Sequence, residues 1–415
     1  MQLLNKLYIK FYFLVFALYA FMNKGVAYTY LVEALLGIGV LLLFLNRKQV
    51  EIIVEKKALI VLFFILLTTL YIFFGVFKYS IADTIRDSLV FEYGCFALIF
   101  YFFKAEKDFI WDLLILIYKW IPLVILSNFL ITNFFTSLQT LSLFGNIPLL
   151  LYKNGDKSVH LLISTIFLFL FSDQFSKRWL FINFFLILLD MLILLSYTRS
   201  GSVAYFIGII CFFLFNKGTI VNPALKSIIK YAPLLLIVII GIFASIQIQA
   251  DDQGRVVGFG QIKDNLSSIV DSDIDGNLGA NKVWRLIWWA KIVNESFSPP
   301  YFFTGKGLGM SLAGADQQST DENVRSPHNY NLTIMARYGV IVFSVWLYWL
   351  VLLFKPLFSR RLMGKTLAIT CMLLAFIINA SFDVYLEGPM GAFPFWTFVG
   401  LLFITEDQSL SPTNS

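Results

Sequence analysis

The chain holds two histidines, His160 and His328. Imidazole has the ordinary pKa nearest neutrality, which makes it the natural proton acceptor in transfer chemistry. His328 stands in Ser326-Pro327-His328-Asn329-Tyr330-Asn331-Leu332. Ser followed by Pro marks a helix start and predicts His328 in the first helical turn, at the positive end of the dipole. That end favours neutral imidazole, which can act as a base, and it attracts anions. Asn331, three residues on, would share the same face and orient a ligand. The alternative is a polar residue solvated where a helix leaves the membrane. His160 follows Lys157-Ser158-Val159 with no motif around it, and reads as structural.

Two arginines sit where they could meet an anion. Arg199, in Tyr197-Thr198-Arg199-Ser200-Gly201, separates two apolar runs. An arginine near membrane depth is costly and usually functional, and its guanidinium suits bidentate phosphate contacts. The competing reading is an arginine snorkelling to the interface. Arg285 lies in Trp284-Arg285-Leu286-Ile287-Trp288-Trp289, inside an amphipathic stretch from Lys282 to Val293 with Trp284, Ile287, Trp288 and Lys291 at helical spacing. Such a helix would anchor at the interface and put Arg285 at phosphate level, against a substrate or against lipid headgroups.

Two other motifs carry less. Gly305-Lys306-Gly307-Leu308-Gly309 lacks the GK[ST] ending and the strand–helix setting of a phosphate loop, and predicts a flexible loop. Asp271-Ser272-Asp273-Ile274-Asp275-Gly276 begins like a calcium loop, but Lys282 stands where that loop needs a bidentate glutamate. It reads as a solvated acidic loop, and no metal site is expected. Cys95, Cys211 and Cys371 all fall in apolar runs without CxxC spacing, which predicts packing residues and no disulfide.

The elements that must position these residues are set by composition. Hydrophobic residues make up 59% of the 415 and charged residues 14%, against about 25% charged in soluble domains. Mean hydropathy is +0.78. No soluble globule of this length hides so much apolar surface, so the chain is predicted to be an all-α polytopic membrane protein. Candidate spans, about 12, cover residues 8–23, 28–46, 58–77, 89–104, 109–135, 159–173, 179–197, 202–216, 231–248, 329–354, 366–383 and 392–405. The runs are continuous, not alternating, which argues against barrel strands. The N-terminal run lacks a cleavage pattern and reads as a retained helix.

Lys and Arg concentrate in alternate loops: Arg47, Lys48, Lys56 and Lys57 on one side, for example, and only Lys24 in the loop before them. The positive-inside rule then puts both termini in the cytoplasm. The expected layout is nine spans over 1–248, a periplasmic loop over 249–328, three spans over 329–405 and a cytoplasmic tail over 406–415. The basic pI follows from this topology and implies no nucleic acid. Glu33, Glu92, Lys119, Asp190, Arg337 and Asp383 fall inside apolar runs, where charges line pathways or pair with one another. They favour a rival reading, a lipid-linked oligosaccharide flippase or other transporter. Against it, no internal repeat is visible, and Arg199, Arg285 and His328 all fall on the outer side.

Thr198-Arg199-Ser200-Gly201, the large outer loop with Arg285, Gly307-Leu308-Gly309, and His328-Asn329 followed by Leu332 and Gly339 occur in this order and topology over residues 160–405. In this the chain resembles the O-antigen ligase/polymerase superfamily of bacterial membrane glycan transferases. The resemblance implies a periplasmic-face, inner-membrane glycosyltransferase. It would move a glycan from undecaprenyl diphosphate to a sugar hydroxyl with inversion, without metal or cofactor. Arg199 and Arg285 would bind the diphosphate, with Arg325 as a third contact. His328 would be the general base, and Asn329 and Asn331 would orient the acceptor. The acceptor is a lipid A–core sugar in a ligase and a lipid-linked glycan in a polymerase, and the signature leaves both open.

Overall fold

The computed structural model describes residues 2–22, 29–45, 55–135, 137–138, 141, 153–216, 222–245, 248–249, 256–270, 277–313, 325–358 and 364–406. The acidic loop at 271–276, the polar stretch at 250–255 and the tail from 407 lie outside the described residues. In chain order the helices are α1 (Gln2–Met22), α2 (Leu31–Leu45), α3 (Lys56–Gly75), α4 (Ile81–Glu92), α5 (Gly94–Phe102), α6 (Lys107–Tyr118), α7 (Ile121–Phe134), α8 (Asn154–Leu170) and α9 (Lys177–Tyr197). They continue with α10 (Arg199–Phe215), α11 (Pro223–Lys230), α12 (Ala232–Ser245), α13 (Phe259–Val270), α14 (Asn277–Ser296), α15 (Tyr301–Thr304), α16 (Tyr330–Phe354), α17 (Lys365–Ala380) and α18 (Pro389–Glu406). Among the described residues the one extended pairing is two residues long, Ile248–Gln249 antiparallel to Val256–Val257.

Among the described residues, the greater part of each of the twelve apolar stretches lies on a helix or on two consecutive helices. Among the described residues five segments are long and apolar enough to cross a membrane: Leu3–Met22, Lys56–Gly75, Lys104–Phe134, Lys177–Tyr197 and Tyr330–Phe358. Pro223–Lys230 and Ala232–Ser245 meet the same length and hydropathy only when taken together, bent by 47° at the break between them, as a broken span or a re-entrant loop would be. Leu31–Leu45, Arg199–Phe215, Lys365–Ala380 and Pro389–Thr405 are apolar but shorter. The stretch predicted as one span over 89–104 is divided at Tyr93. Its first residues close the amphipathic α4, which carries Asp83, Arg86 and Asp87, and α5 begins at Gly94. A Cβ at Gly94 would stand 3.0 Å from Val61, so the glycine lets α5 approach α3.

The chain divides into two compact units. The first comprises residues 1–35, 105–272 and 360–375. Its α8 and α10 pack at close range because Gly201 and Gly208 face Ser158 and Leu162; a Cβ at Gly201 would lie 2.6 Å from the Ser158 Oγ. The end of α9 packs with α12 and α13 around Leu192, Ile193, Phe243 and Ile262. Helix ends leave carbonyls unpaired, and here Asn265 of α13 supplies donors to two of them, Leu195 O and Ser196 O, both at 2.9 Å. His160 is fully buried, with Nδ1 3.0 Å from the Tyr118 hydroxyl, in keeping with its structural reading.

The second unit comprises residues 36–104, 273–359 and 376–415. Its core is aromatic: Phe64 stacks on Phe91 at 4.4 Å, and Trp346 on Trp349 at 5.0 Å. Gly339 kinks α16 with φ 84° and ψ 173°, a conformation essentially confined to glycine. A Cβ there would press on the backbone of Phe302 and Phe303 at 2.7–2.8 Å. Gly339→Ala adds backbone strain to a clash with unyielding atoms. It is expected to cost about 3 kcal/mol or more, read as a large loss in unfolding temperature of the detergent-solubilised protein.

Candidate active site

The segment bearing His328 enters α16 differently from the expectation. Asn329, not Ser326, is the N-cap: its side chain accepts from the Leu332 N–H at 3.2 Å. Asparagine is a strong N-cap residue because its short side chain reaches that orphan donor. His328 therefore precedes the helix instead of lying in its first turn. Its φ of 52° is left-handed, an uncommon and strained conformation for a non-glycine residue. Each preceding residue is tied down. Arg325 O accepts from Leu312 N at 2.9 Å, and Pro327 O accepts from the Trp289 indole N–H at 2.7 Å. Ser326 is hydrogen-bonded to the half-buried Glu387.

His328 points Nδ1 toward Asp383 Oδ1 at 3.7 Å, too long for a hydrogen bond but close for a charge. Its ring meets Trp284 edge-on, with centroids 6.1 Å apart. Arg285 belongs to the same cluster. Its Nη1 donates to Phe382 O at 3.1 Å, its guanidinium lies 5.6 Å from the Trp284 ring, and Asp383 acts on it electrostatically. Burial pulls the Arg285 guanidinium below its ordinary pKa, and Asp383 opposes that shift; arginine stays charged throughout. Among the described residues the buried Arg285 Nε has no hydrogen-bond partner. A buried cationic donor left unsatisfied is costly, so this face of the guanidinium is suited to an anion.

The helix that carries Arg285 is the amphipathic one the sequence predicts, seated through Trp288 and Ile292 against Leu312, Met335 and Ala336. Ile287, at the same predicted spacing, is exposed. The glycine turn departs from the expected flexible loop. Lys306 N donates to Ala336 O at 2.7 Å, Gly307 N to Arg337 O at 3.0 Å, and Gly309 N to Asp87 Oδ2 at 2.9 Å. Gly305 is glycine for contact as well as for its φ of 60°, since a Cβ would fall 2.4 Å from the Arg337 carbonyl.

The remaining expected site residues divide. Asn331 donates to Ser381 Oγ at 3.1 Å and accepts from the Trp346 indole at 3.0 Å, which ties α16 to the turn leading to Asp383. Arg325 pairs through Nη1 with Asp83 at 3.1 Å and through Nη2 with Asp87 at 3.5 Å, and donates to Gly309 O at 2.8 Å. Arg199 belongs to the first unit, as the first residue of α10. Thr198 caps that helix by accepting from Gly201 N at 3.2 Å, and the Arg199 side chain is half-buried. Beside this turn a cavity of about 80 Å³ is lined by Asn154, Lys157 and Tyr197 among apolar side chains. The Lys157 ammonium there donates to Asn128 at 2.8 Å and Asn154 at 3.1 Å, so it is a buried helix residue rather than part of a loop.

Sequence reasoning left Asp383 among the intramembrane charges; the structure puts it in the turn after α17, facing His328. It missed Asp83, Asp87 and Glu387 as partners of the His328 segment. A signal existed for the first two: they are four residues apart on one face of a helix whose N-cap is Ser80. Among the described residues no three His, Cys, Asp or Glu side chains converge as a metal site would require. The three cysteines are free.

An almost wholly helical chain with several membrane-length apolar helices defines a polytopic helical membrane protein. Residues 182–347 match the O-antigen ligase family, which supports the resemblance to the O-antigen ligase/polymerase superfamily. The matched segment contains Arg199, Arg285, Arg325 and His328. No curated protein matches the chain.

Proposed function

We propose that the protein is an inverting, metal-independent glycosyltransferase of the bacterial inner membrane. It transfers a glycan from undecaprenyl diphosphate to a sugar hydroxyl at the periplasmic face. The observation that carries this reading is the approach of His328 to Asp383 next to an arginine whose buried Nε has no partner among the described residues. A base and an anion holder side by side are what such a transfer needs. The family match supports the glycan-joining class.

In this reading the acceptor O–H gives its proton to His328 Nε2 while the Nδ1 side faces Asp383, which stabilises the imidazolium that forms. The acceptor oxygen bonds to the anomeric carbon, and the bond from that carbon to the diphosphate oxygen breaks. The leaving diphosphate takes the electron pair. A single displacement inverts the anomeric centre. Arg285 holds the diphosphate and its growing charge, with Arg199 as a second contact. Asn329 and Asn331 act by orientation, the first by capping α16 and the second by tying it to the Asp383 turn. Arg325 is already held by two carboxylates, and a phosphate would have to compete with them.

The layout proposed with this function has both termini in the cytoplasm, about twelve spans, and residues 249–328 in the periplasm. The test is reconstitution of the purified protein with an undecaprenyl-diphosphate glycan and one acceptor at a time. Transfer that persists in EDTA is the expected result. Product on a lipid A–core acceptor identifies a ligase, and product on a second lipid-linked glycan a polymerase. Transbilayer movement of the donor with no product on either acceptor would replace this reading with the flippase. EDTA sensitivity reversed by a divalent cation would remove metal independence.

A further inference from the structure

The second unit contains a charge cluster that the chemistry above does not use. Asp87, on α4, is buried, and its Oδ2 gathers three donors. Arg337 Nη1 stands at 2.9 Å, Gly309 N at 2.9 Å and Arg325 Nη2 at 3.5 Å. Each donor comes from a different piece of chain. Arg337 lies on α16, beyond His328; its Nη1 also donates to Met310 O at 3.1 Å. Gly309 ends the glycine turn. Arg325 is three residues before His328. One carboxylate therefore ties the turn, the approach to His328 and the helix that leaves it.

Such a clamp has a reason in the backbone. His328 holds a left-handed φ that costs free energy unless its neighbours enforce it. Arg325 is the anchor on the upstream side. Its guanidinium is locked to Asp83, Asp87 and Gly309 O, and its carbonyl to Leu312 N. Burial adds weight: a two-oxygen acceptor surrounded by cationic donors makes charge-assisted bonds, the stronger kind, and fixes their geometry.

We propose that Asp87, acting through Arg325, is a positioning residue that holds the His328 segment in register for proton transfer. The inference rests on His328 being the base. It gives Arg325 a structural target in place of the phosphate. A misplacement of a reacting group by about 1 Å can cost about 100-fold in rate, so loss of the clamp acts on kcat. Donor binding, which belongs to other arginines, is spared.

The experiment measures kcat and donor KM for transfer by the full-length reconstituted protein carrying Asp87→Asn, Asp87→Glu, Arg325→Gln or His328→Asn. Unfolding temperature is recorded for each. Asp87→Asn and Arg325→Gln are expected to lower kcat about 10- to 100-fold with donor KM unchanged, and Asp87→Glu to retain more kcat than Asp87→Asn. If Asp87→Asn does not fold, Arg325→Gln decides alone, because it leaves the Asp87–Arg337 pair intact. A rise in donor KM at unchanged kcat in Arg325→Gln would return Arg325 to the diphosphate and overturn the proposal. So would kcat at the parent level in either variant while His328→Asn is inactive. Full activity of His328→Asn would remove the base itself, a different failure from that of the clamp.

Discussion

His328→Ala is expected to insert and fold normally and to lose transfer by about 10²–10⁴-fold, the usual contribution of a positioned base. A sugar hydroxyl is a weak nucleophile until its proton begins to leave, and no other histidine can substitute. His160 is fully buried against Tyr118 in the first unit. Folding should be spared because the His328 ring makes only peripheral contacts. It sits edge-on to Trp284 and 3.7 Å from Asp383. The cap of α16 belongs to Asn329, and the strained backbone is held by residues 325–327. Alanine at a positive φ is itself unfavourable, so His328→Asn, which tolerates that region better, is the control for strain. Both variants should be equally inactive, at unfolding temperatures close to the parent. Transfer at the parent rate by either would remove His328 from the chemistry.

Much of this arrangement was legible in the sequence, and the reasons are specific. Apolar runs give helices because membrane-depth backbone must satisfy its own hydrogen bonds, and the described part of each predicted run is mostly helix. The Trp284–Trp288 periodicity placed α14 and the buried Trp288, whereas Ile287 at the same spacing is exposed. The helix start near His328 was misplaced by two to three residues. Ser-Pro and Asn are both cap signals, and long-range ties such as the Trp289 indole on the Pro327 carbonyl hold residues 325–327 outside the helix. The glycine turn read as loose, since nothing local reveals that Gly309 N meets a carboxylate 222 residues away in the chain. Asp383 was hidden for a related reason. Its neighbours Ser381 and Phe382 extend an apolar run, yet α17 ends at Ala380 and turns there. Long-range pairing, as of Asp87 with Arg337, has no signature in a single sequence.

Arg285→Ala is expected to reduce transfer by about 10- to 100-fold, the equivalent of one charge-assisted contact of about 1.5–3 kcal/mol. The loss should appear as a rise in donor KM as well as a fall in kcat, because Arg285 holds the diphosphate on binding and meets the charge that grows as it leaves. Lysine should recover only part of it. The guanidinium of Arg285 spends Nη1 on the Phe382 carbonyl, while the buried Nε has no partner among the described residues. A fork can serve both the carbonyl and an anion, whereas an ammonium is a single point of charge. The neighbouring Trp284 ring, 5.6 Å from the guanidinium, holds the fork's plane and would favour an ammonium less well. Arg199→Ala tests the second proposed contact by the same assay. If Arg199 and Arg285 grip one diphosphate, the double variant should fall short of the product of the two single losses, because neither remaining contact is independent of the other. Strict multiplicativity would mean that the two arginines serve different groups. Parent-level kcat in Arg285→Ala would place the leaving-group charge elsewhere than beside His328.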